Sequence, residues 1–338
     1  QSQHKQARLE KNSHALRTRI IRTIETAEDS SKQVFRAAAR KCSAPATRKG
    51  ARRLHKEQTR IYAPLLVAPA PELVGDRYAV WLCWHVFNGD VAAGFGHGEL
   101  GVVAHMADLM GGVVRTFPLP VRLRDHVIDR SFQRLGTTVS DVVFDELRHA
   151  ILSAAVLGLA LTAVSTFPEI ERPEEPTPFL LPTPQGAVLG DLLPQWPFIT
   201  INTYVGGRRP ITAAKERLRA AMCAALGAFS LDDAALLVRN YFVGMYCPQA
   251  NGGRFSNLRD ASLRDAFQVM GSIAQVMQRH RNLLLTKSVR DDEMQRSELM
   301  WRWATLQHRT QCSQDGYVAT GGQSAGTAIH AGACEQHV

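Results

Sequence analysis

Residues 141–166 read DVVFDELRHAILSAAVLGLALTAVST, and their second half, Ala150–Val164, is apolar on all sides apart from Ser153, Thr162 and one glycine. Thr138 or Ser140 can cap the start of a helix here, because a side-chain oxygen satisfies a free backbone N–H group of the first turn. The fifteen residues of the apolar half are too few to cross a bilayer, which takes about 20. A helix that is apolar all round belongs in a protein core. The segment therefore predicts a buried helix at the centre of the body.

The segments before this helix carry mixed signals. Tyr78–Phe87 (YAVWLCWHVF) is rich in aromatic and branched residues, which favours a buried strand or a short core helix. Glu99–Met110 is predicted to be a helix that stops at the following glycine pair. Val113–Phe117 is predicted to be a strand that Pro118 and Pro120 end. An amphipathic helix is expected over Val121–Leu135.

The segments after the central helix begin with a proline-rich tract. Nine of the sixteen prolines lie in residues 168–210, which excludes regular helix there and favours an ordered connection over the surface. Beyond it, Thr212 and the capping-box variant at Ser230 mark helix starts. Four helices are predicted, from Thr212 to about Phe229, from Ser230 to about Gly244, from Asn257 to about Leu285 and from Asp291 to about Arg309.

These elements predict a mainly α fold. We expect a multi-helix globular body with a small mixed α/β region near residues 61–120, a basic helical N-terminal arm and an extended C-terminal tail. The predicted segments are the arm (1–60), an N-terminal body (61–167), the proline-rich connection (168–210), a C-terminal helical body (211–310) and the tail (311–338). The tail is rich in Gly, Ala, Ser and Thr and has no hydrophobic period, so ordering it requires contacts with a partner.

The positive charge of the chain is concentrated in the arm. The chain has 40 Lys and Arg against 31 Asp and Glu, yet residues 1–60 alone hold sixteen basic and five acidic residues. On a helix, Leu9, Leu16, Ile20, Ile24 and Ala27 share one face and the arginines and lysines fall on another. Four interpretations stay open: a nucleic-acid-binding arm, a surface helix docked on its own body, a membrane-surface helix and a retained mitochondrial presequence.

Nucleic acid, with RNA favoured, is the polyanion that we expect this arm to bind, through phosphate contacts and counterion release. Gly206-Gly207-Arg208-Arg209, before the helix that starts at Thr212, is a second candidate anion site. The predicted nucleic-acid-binding residues are Arg8, Lys11, Arg19, Arg22, Arg36, Arg40, Lys41, Arg52, Arg53, Lys56, Arg208 and Arg209.

Catalytic and metal-binding patterns are weak in this sequence. Residues 96–101 (GHGELG) match the G-x-G-x-x-G pattern of dinucleotide sites, but no long strand precedes them and the acidic residue expected further on is missing. Glu146 and His149 have the spacing of di-iron ligands but no second copy, and we expect a surface pair. Cys83 and His85 lack a third orienting group. Six scattered cysteines without a C-x-x-C pair argue against a disulfide scaffold or a zinc ribbon. No catalytic residue, metal or cofactor is predicted.

The function that joins these observations is structural. We expect a nucleic-acid-binding subunit of a large assembly, such as a viral coat or nucleocapsid protein that contacts RNA phosphates non-specifically and other copies of itself. The expected location is the virion or the cytoplasm of an infected cell. A protein of an organellar ribosome or another ribonucleoprotein, located in the mitochondrion, is the alternative. An enzyme with a nucleotide site at Gly96–Gly101 is the second alternative. No membrane span is expected.

Overall fold

The computed structural model describes residues 2–41, 47–88, 97–164, 177–192, 199–227, 229–246, 255–280 and 334–336. Its seven helices are α1 (Ser2–Lys41), α2 (Arg48–Tyr62), α3 (Asp125–Leu135), α4 (Ser140–Val164), α5 (Ala213–Leu226), α6 (Leu231–Tyr246) and α7 (Ser256–Arg279) within those ranges. The strands of the same ranges are β1 (Tyr78–Asn88), β2 (His97–Asp108), β3 (Val113–Leu123), β4 (Thr177–Pro182), β5 (Gly186–Leu192), β6 (Ile199–Gly206) and β7 (Cys334–Gln336).

The strands form one mixed sheet built from two antiparallel meanders. Its order is β1-β2-β3-β6-β5-β4, and β7 pairs with β3. The two meanders meet where β3 and β6 run parallel, with Val121–Leu123 opposite Ile199–Ile201. Each meander therefore places its last strand at the centre of the sheet.

Helices cover this sheet on both faces, and β1 shows which helix lies where. The even-numbered side chain Tyr78 contacts Phe255, the residue just before α7, and Trp84 contacts Phe144 of α4. The odd-numbered Trp81 contacts α2, because its indole N–H donates to Thr59 Oγ1 at 3.0 Å. Successive side chains of a strand point to opposite faces. The first layer holds α1, α2 and α3. Within it, α1 packs against α2 and α3, and α3 packs on β6. The second layer holds α4–α7.

The prediction of a mainly α fold is wrong, because the six-stranded core of the sheet makes this an α/β protein. The physical reason is the cover on both faces. A strand buried on both sides reads as a continuous apolar run and loses the alternation that distinguishes a strand from a helix. β1, with nine of its eleven residues buried, is such a run.

Three segments account for the error. Glu99–Met110 lies mostly in β2 and is not a helix. Pro118 and Pro120 do not end β3, which continues to Leu123 past a register shift against β2; prolines are tolerated at such irregularities. The expected surface connection at 168–210 instead contributes β4, β5 and β6, whose side chains are largely buried. The division of the chain into five segments stays a prediction.

Several local predictions are confirmed. Helix α4 spans the predicted central segment, and its residues 150–161 are all buried; Pro120 packs directly against Gly158. The Thr212 side chain caps α5 through the N–H of Lys215. At α6, Ser230 and Asp233 exchange the two hydrogen bonds of a capping box. The helix predicted at Asp291–Arg309, and the tail except for β7, lie outside the described residues.

Among the described residues, no single helix has both the length and the apolar character needed to cross a membrane; the bent pair α5–α6 passes only when its two helices are taken together, by length and composition.

Candidate functional site

Helix α2 has one apolar face and one basic face. Its buried residues are Ala51, Leu54, Gln58 and Tyr62. At 100° per residue these four occupy an arc of about 80° on one side of the helix. The six cations lie within an arc of about 140° on the other side; they are Arg48, Lys49, Arg52, Arg53, Lys56 and Arg60. Every one of these six side chains is exposed. The helix therefore holds its positive charge towards solvent while its apolar face is fixed.

Polar contacts beneath α2 fix the orientation of this basic face. Gln58 accepts a hydrogen bond from Ser31 Oγ of α1 at 2.9 Å, and the Tyr62 hydroxyl donates to the same Ser31 oxygen at 3.3 Å. Thr59 accepts the indole N–H of Trp81 from the sheet. The Tyr62 ring stacks on His105 of β2, with ring centroids 4.6 Å apart. These contacts bind α2 to both α1 and the sheet, so the basic face belongs to a rigid element.

Helix α1 repeats the two-sided arrangement. Leu16, Ile20 and Ala27 of the predicted apolar stripe are buried against the body, and Ile24 is half-buried. The stripe is therefore docked on its own chain, in the arrangement of the surface helix that was one of the four open interpretations. The predicted phosphate-binding side chains on the opposite face are exposed; they are Lys11, Arg19, Arg22 and Arg36. The side chains of Leu9, Arg8, Arg40 and Lys41 lie outside the described residues.

Carboxylates neutralise part of this surface. Asp76 accepts from Arg52 at 2.9 Å and lies 3.9 Å from Arg48. Glu57 is 3.5 Å from Arg53. Arg19 of α1 is paired with Asp141 at the start of α4 at 2.9 Å. In contrast, no carboxylate within the described ranges lies within 4.0 Å of three cations of α2; these are Lys49, Lys56 and Arg60.

The charge is distributed unequally across the two helix layers. Helices α1–α3 together carry eighteen basic and seven acidic residues, whereas α4–α7 carry eight of each sign. The sheet separates the two layers. The asymmetry seen along the sequence is therefore an asymmetry between two sides of the folded molecule, and a polyanion is attracted to the outer side of α1 and α2.

A groove of about 740 Å³ runs along α1 beside the end of α2. Arg19, Arg22 and His14 line it together with hydroxyl-bearing residues of α1, and Ile61 and Pro64 contribute apolar contacts. The hydroxyls of Thr18, Thr23 and Thr26 already donate to carbonyl groups one turn earlier in the helix. Of the two arginines of the groove, Arg19 is paired with Asp141, whereas the Arg22 side chain has no ion pair within the described residues.

Arg208 and Arg209 lie apart from the basic face of α2. Both are exposed on the turn between β6 and α5. This turn contacts the end of α3, because Arg208 N donates to the carbonyl oxygen of Arg134 at 2.7 Å. The structure thus brings the two predicted arginines to the end of α3 and not to α2.

The patterns considered for catalysis do not form an active site in the described residues. His97–Gly101 lie in β2 and pair with β1 on one side, so the strand–turn–helix geometry of a phosphate loop is not formed there. Cys83 is buried, and burial raises the pKa of its thiol. No group of three or more His, Cys, Asp and Glu side chains that could hold a metal ion occurs in the described part of the chain.

Glu146 was expected at the surface and is instead buried in α4. Its carboxylate accepts hydrogen bonds from the Thr183 hydroxyl, from Gln185 N at 2.8 Å and from the Tyr204 hydroxyl at 2.9 Å. The partners come from the β4–β5 turn and from β6, so nothing in the E-x-x-H spacing could have revealed them. His149, at the other end of that spacing, faces the carbonyl oxygen of Phe229 at 3.3 Å.

Five basic residues near the predicted sites are absent from those predicted. Arg48, Lys49 and Arg60 belong to the basic arc of α2, and the helical spacing of residues 48–60 was sufficient to include them. Arg130 and Arg134 of α3 come next to Arg209 only through the fold. No local pattern in the sequence indicates that approach.

Comparisons with known proteins add no identification: no family model, no curated protein and no solved structure matches the chain.

Proposed function

We propose that this protein binds the phosphate backbone of a nucleic acid, RNA favoured, through the outer faces of α1 and α2, as a structural subunit of a nucleic-acid-containing assembly. The observation that carries the proposal is the one-sided charge, with eighteen basic against seven acidic residues on α1–α3 and equal numbers on α4–α7. Contacts from Lys and Arg to phosphates require only such a charged surface and no reading of bases.

Burial of the apolar stripe favours a nucleic acid over a membrane surface. A helix that lies in a membrane interface inserts its apolar face between the lipids. In α1 that face is occupied, since Leu16 and Ile20 are 2% and 3% exposed. The exposed side of the helix offers cations and polar groups, which suit a polyanion that stays outside the protein.

Neutralising the three unpaired cations of α2 tests the proposal. The variant Lys49→Gln/Lys56→Gln/Arg60→Gln leaves the buried face of α2 intact, whereas deleting residues 1–60 would uncover Trp81 and the sheet. The affinity for a labelled single-stranded RNA is measured at salt concentrations from about 50 to 300 mM, over which counterion release makes the affinity fall. Each lost phosphate contact should reduce the slope of log K against log salt by about 0.7. We expect a slope smaller by about 2 and an affinity at low salt weaker by tenfold or more.

The matched control removes three cations from the other layer, in Lys215→Gln/Arg217→Gln/Arg264→Gln. It changes the net charge equally and should leave the salt slope close to that of the unaltered chain. Equal losses in both triple variants, or none in the α2 variant, would contradict the proposed surface. DNA of the same sequence measures the preference for RNA. Tighter binding to anionic phosphatidylserine vesicles than to RNA would favour the membrane alternative.

A further inference from the structure

The turn between β6 and α5 packs unusually closely on the end of α3. Gly207 has a φ of 64°, and a Cβ atom there would lie 2.5 Å from the carbonyl oxygen of Arg134. Gly136, which ends α3 with the same φ of 64°, faces the guanidinium group of Arg208; a Cβ atom would lie 2.5 Å from the Arg208 Cζ. Only glycine permits both approaches. The two glycines therefore bring the cations of the turn onto the end of the helix.

Four guanidinium groups converge at this point. Arg130 and Arg134 are one helical turn apart on α3, and Arg208 and Arg209 come from the turn. Burial, followed by the nearby charges of Arg209 and Arg130, lowers the pKa of Arg134. The Nε atom of Arg134 is buried and has no hydrogen-bond partner in the described residues.

The partners of this cluster are neutral. Arg130 bonds to His126 Nε2 at 2.9 Å and to Gln133 Oε1 at 2.8 Å. Across the ranges that the structure describes, none of the four arginines forms an ion pair within 4.0 Å. Asp129, the residue before Arg130, is not paired with any of them either. Like charges held together without a carboxylate within 4.0 Å in the described residues repel one another, and an anion placed between them reduces that repulsion.

We propose that Arg130, Arg134, Arg208 and Arg209 form a phosphate-binding site, distinct from the basic face of α2. The guanidinium group is planar and presents several N–H donors, and it binds phosphate oxygens in pairs of hydrogen bonds. The phosphate comes either from a free phosphate ion or from a phosphodiester of a nucleic acid. The site goes beyond the proposed function, because it stands whether or not α1 and α2 bind nucleic acid.

Thermal unfolding with inorganic phosphate tests the site. Phosphate is titrated against chloride of equal ionic strength, so that only a specific anion effect raises the Tm. We expect the Tm of the full chain to rise with phosphate. The variant Arg209→Gln should keep its fold, because the Arg209 side chain is exposed. The phosphate concentration that gives half of the rise in Tm should be at least about tenfold higher in this variant, which corresponds to one lost charged hydrogen bond. Arg130→Gln should act in the same direction.

The control is Arg264→Gln, an exposed arginine of α7, which should respond to phosphate like the unaltered chain. A Tm that rises equally in phosphate and chloride, or an Arg209→Gln response equal to the control, would overturn the site. Binding of a single-stranded oligonucleotide to the same variants then identifies the source. Weaker binding in Arg209→Gln assigns the phosphate to a nucleic acid, and unchanged binding with a lost phosphate response assigns it to the free ion.

Discussion

Glu146 shows at the scale of a single residue how the second meander of the sheet, β4–β6, is joined to the central helix α4. It is 2% exposed and accepts three hydrogen bonds, from Thr183, Gln185 and Tyr204. A buried carboxylate is tolerated only when its lone pairs are used in this way. Burial raises the pKa of the Tyr204 hydroxyl, and the charge of Glu146 and the hydrogen bond between the two side chains raise it further.

We expect Glu146→Ala to lower the free energy of unfolding by about 3 kcal/mol or more, because three buried donors lose their acceptor. Glu146→Gln keeps a carbonyl acceptor and should lose less. Asp145→Ala, at the exposed neighbouring position, should change stability by less than about 0.5 kcal/mol. Urea unfolding of the three variants measures the differences. A Glu146→Ala protein as stable as Asp145→Ala would show that the network contributes nothing.

At the scale of elements, the face of the sheet beneath α2 buries two histidines. His105 lies below Tyr62 and is hydrogen-bonded to Thr116 at 2.8 Å; burial and the nearby His85 lower its pKa to about 3. Burial lowers the pKa of His85 to about 4. Between pH 6.5 and about 4, both histidines stay neutral in the folded chain, whereas the same side chains take up protons in the unfolded chain. Their contribution to stability is therefore complete above about pH 6.5 and is lost as the pH falls towards the folded values.

We expect the free energy of unfolding to decrease by several kcal/mol between pH 6.5 and 4, at about 1.4 kcal/mol for each unit by which the folded and unfolded pKa values differ. The decrease should begin above pH 5, before most carboxylates titrate. His105→Gln should flatten the profile between pH 6.5 and 5, and His14→Gln, at an exposed position, should not. Urea titrations at fixed pH provide the profile; identical slopes in both variants would contradict the assignment.

The elements also show which parts of the fold the sequence could predict. The caps at Thr212 and Ser230 were predicted correctly, because a cap is a contact between residues three positions apart. Half of the cations on the basic face of α2 were among the predicted residues, since helical spacing is also a local property; they are Arg52, Arg53 and Lys56. The sequence predicts a helix over most of β2, and this is wrong. Pairing with other strands is not visible in the local sequence when both faces of a strand are covered, because the alternation of polar and apolar residues is then lost. The approach of Arg209 to Arg134 depends on the turn after β6 and has no local sign either.

At the scale of the whole molecule, the described surface has few large apolar side chains to hold copies of the chain together. Those that are exposed are scattered over three helices and a loop; they are Ile21, Val139, Val142, Leu236 and Met245. Scattered single residues are ordinary on a protein surface and do not form an interface. Assembly of this chain, as the coat interpretation requires, should consequently depend on the nucleic acid.

We expect light scattering to find a monomer or a small oligomer in the absence of nucleic acid and particles with many copies after RNA is added. The α2 triple variant should fail to form such particles at the same salt concentration, since phosphate contacts drive the process. A complex with one copy per RNA would favour a ribonucleoprotein subunit over a coat protein. A chain that stays unassembled and unbound would contradict both.

The parallel junction of β3 and β6 has a consequence for how the chain folds. Each antiparallel meander closes through short loops and can form early from neighbouring residues. The junction joins positions 78 residues apart, as Arg122 and Thr200 show, and α3 and α4 lie between them. Closing so long a loop costs more entropy than either meander does. Closing the junction should therefore be the slow step of folding, after both meanders and α4 have formed, and substitutions at Val121 or Ile201 should slow folding more than substitutions within β1 or β5.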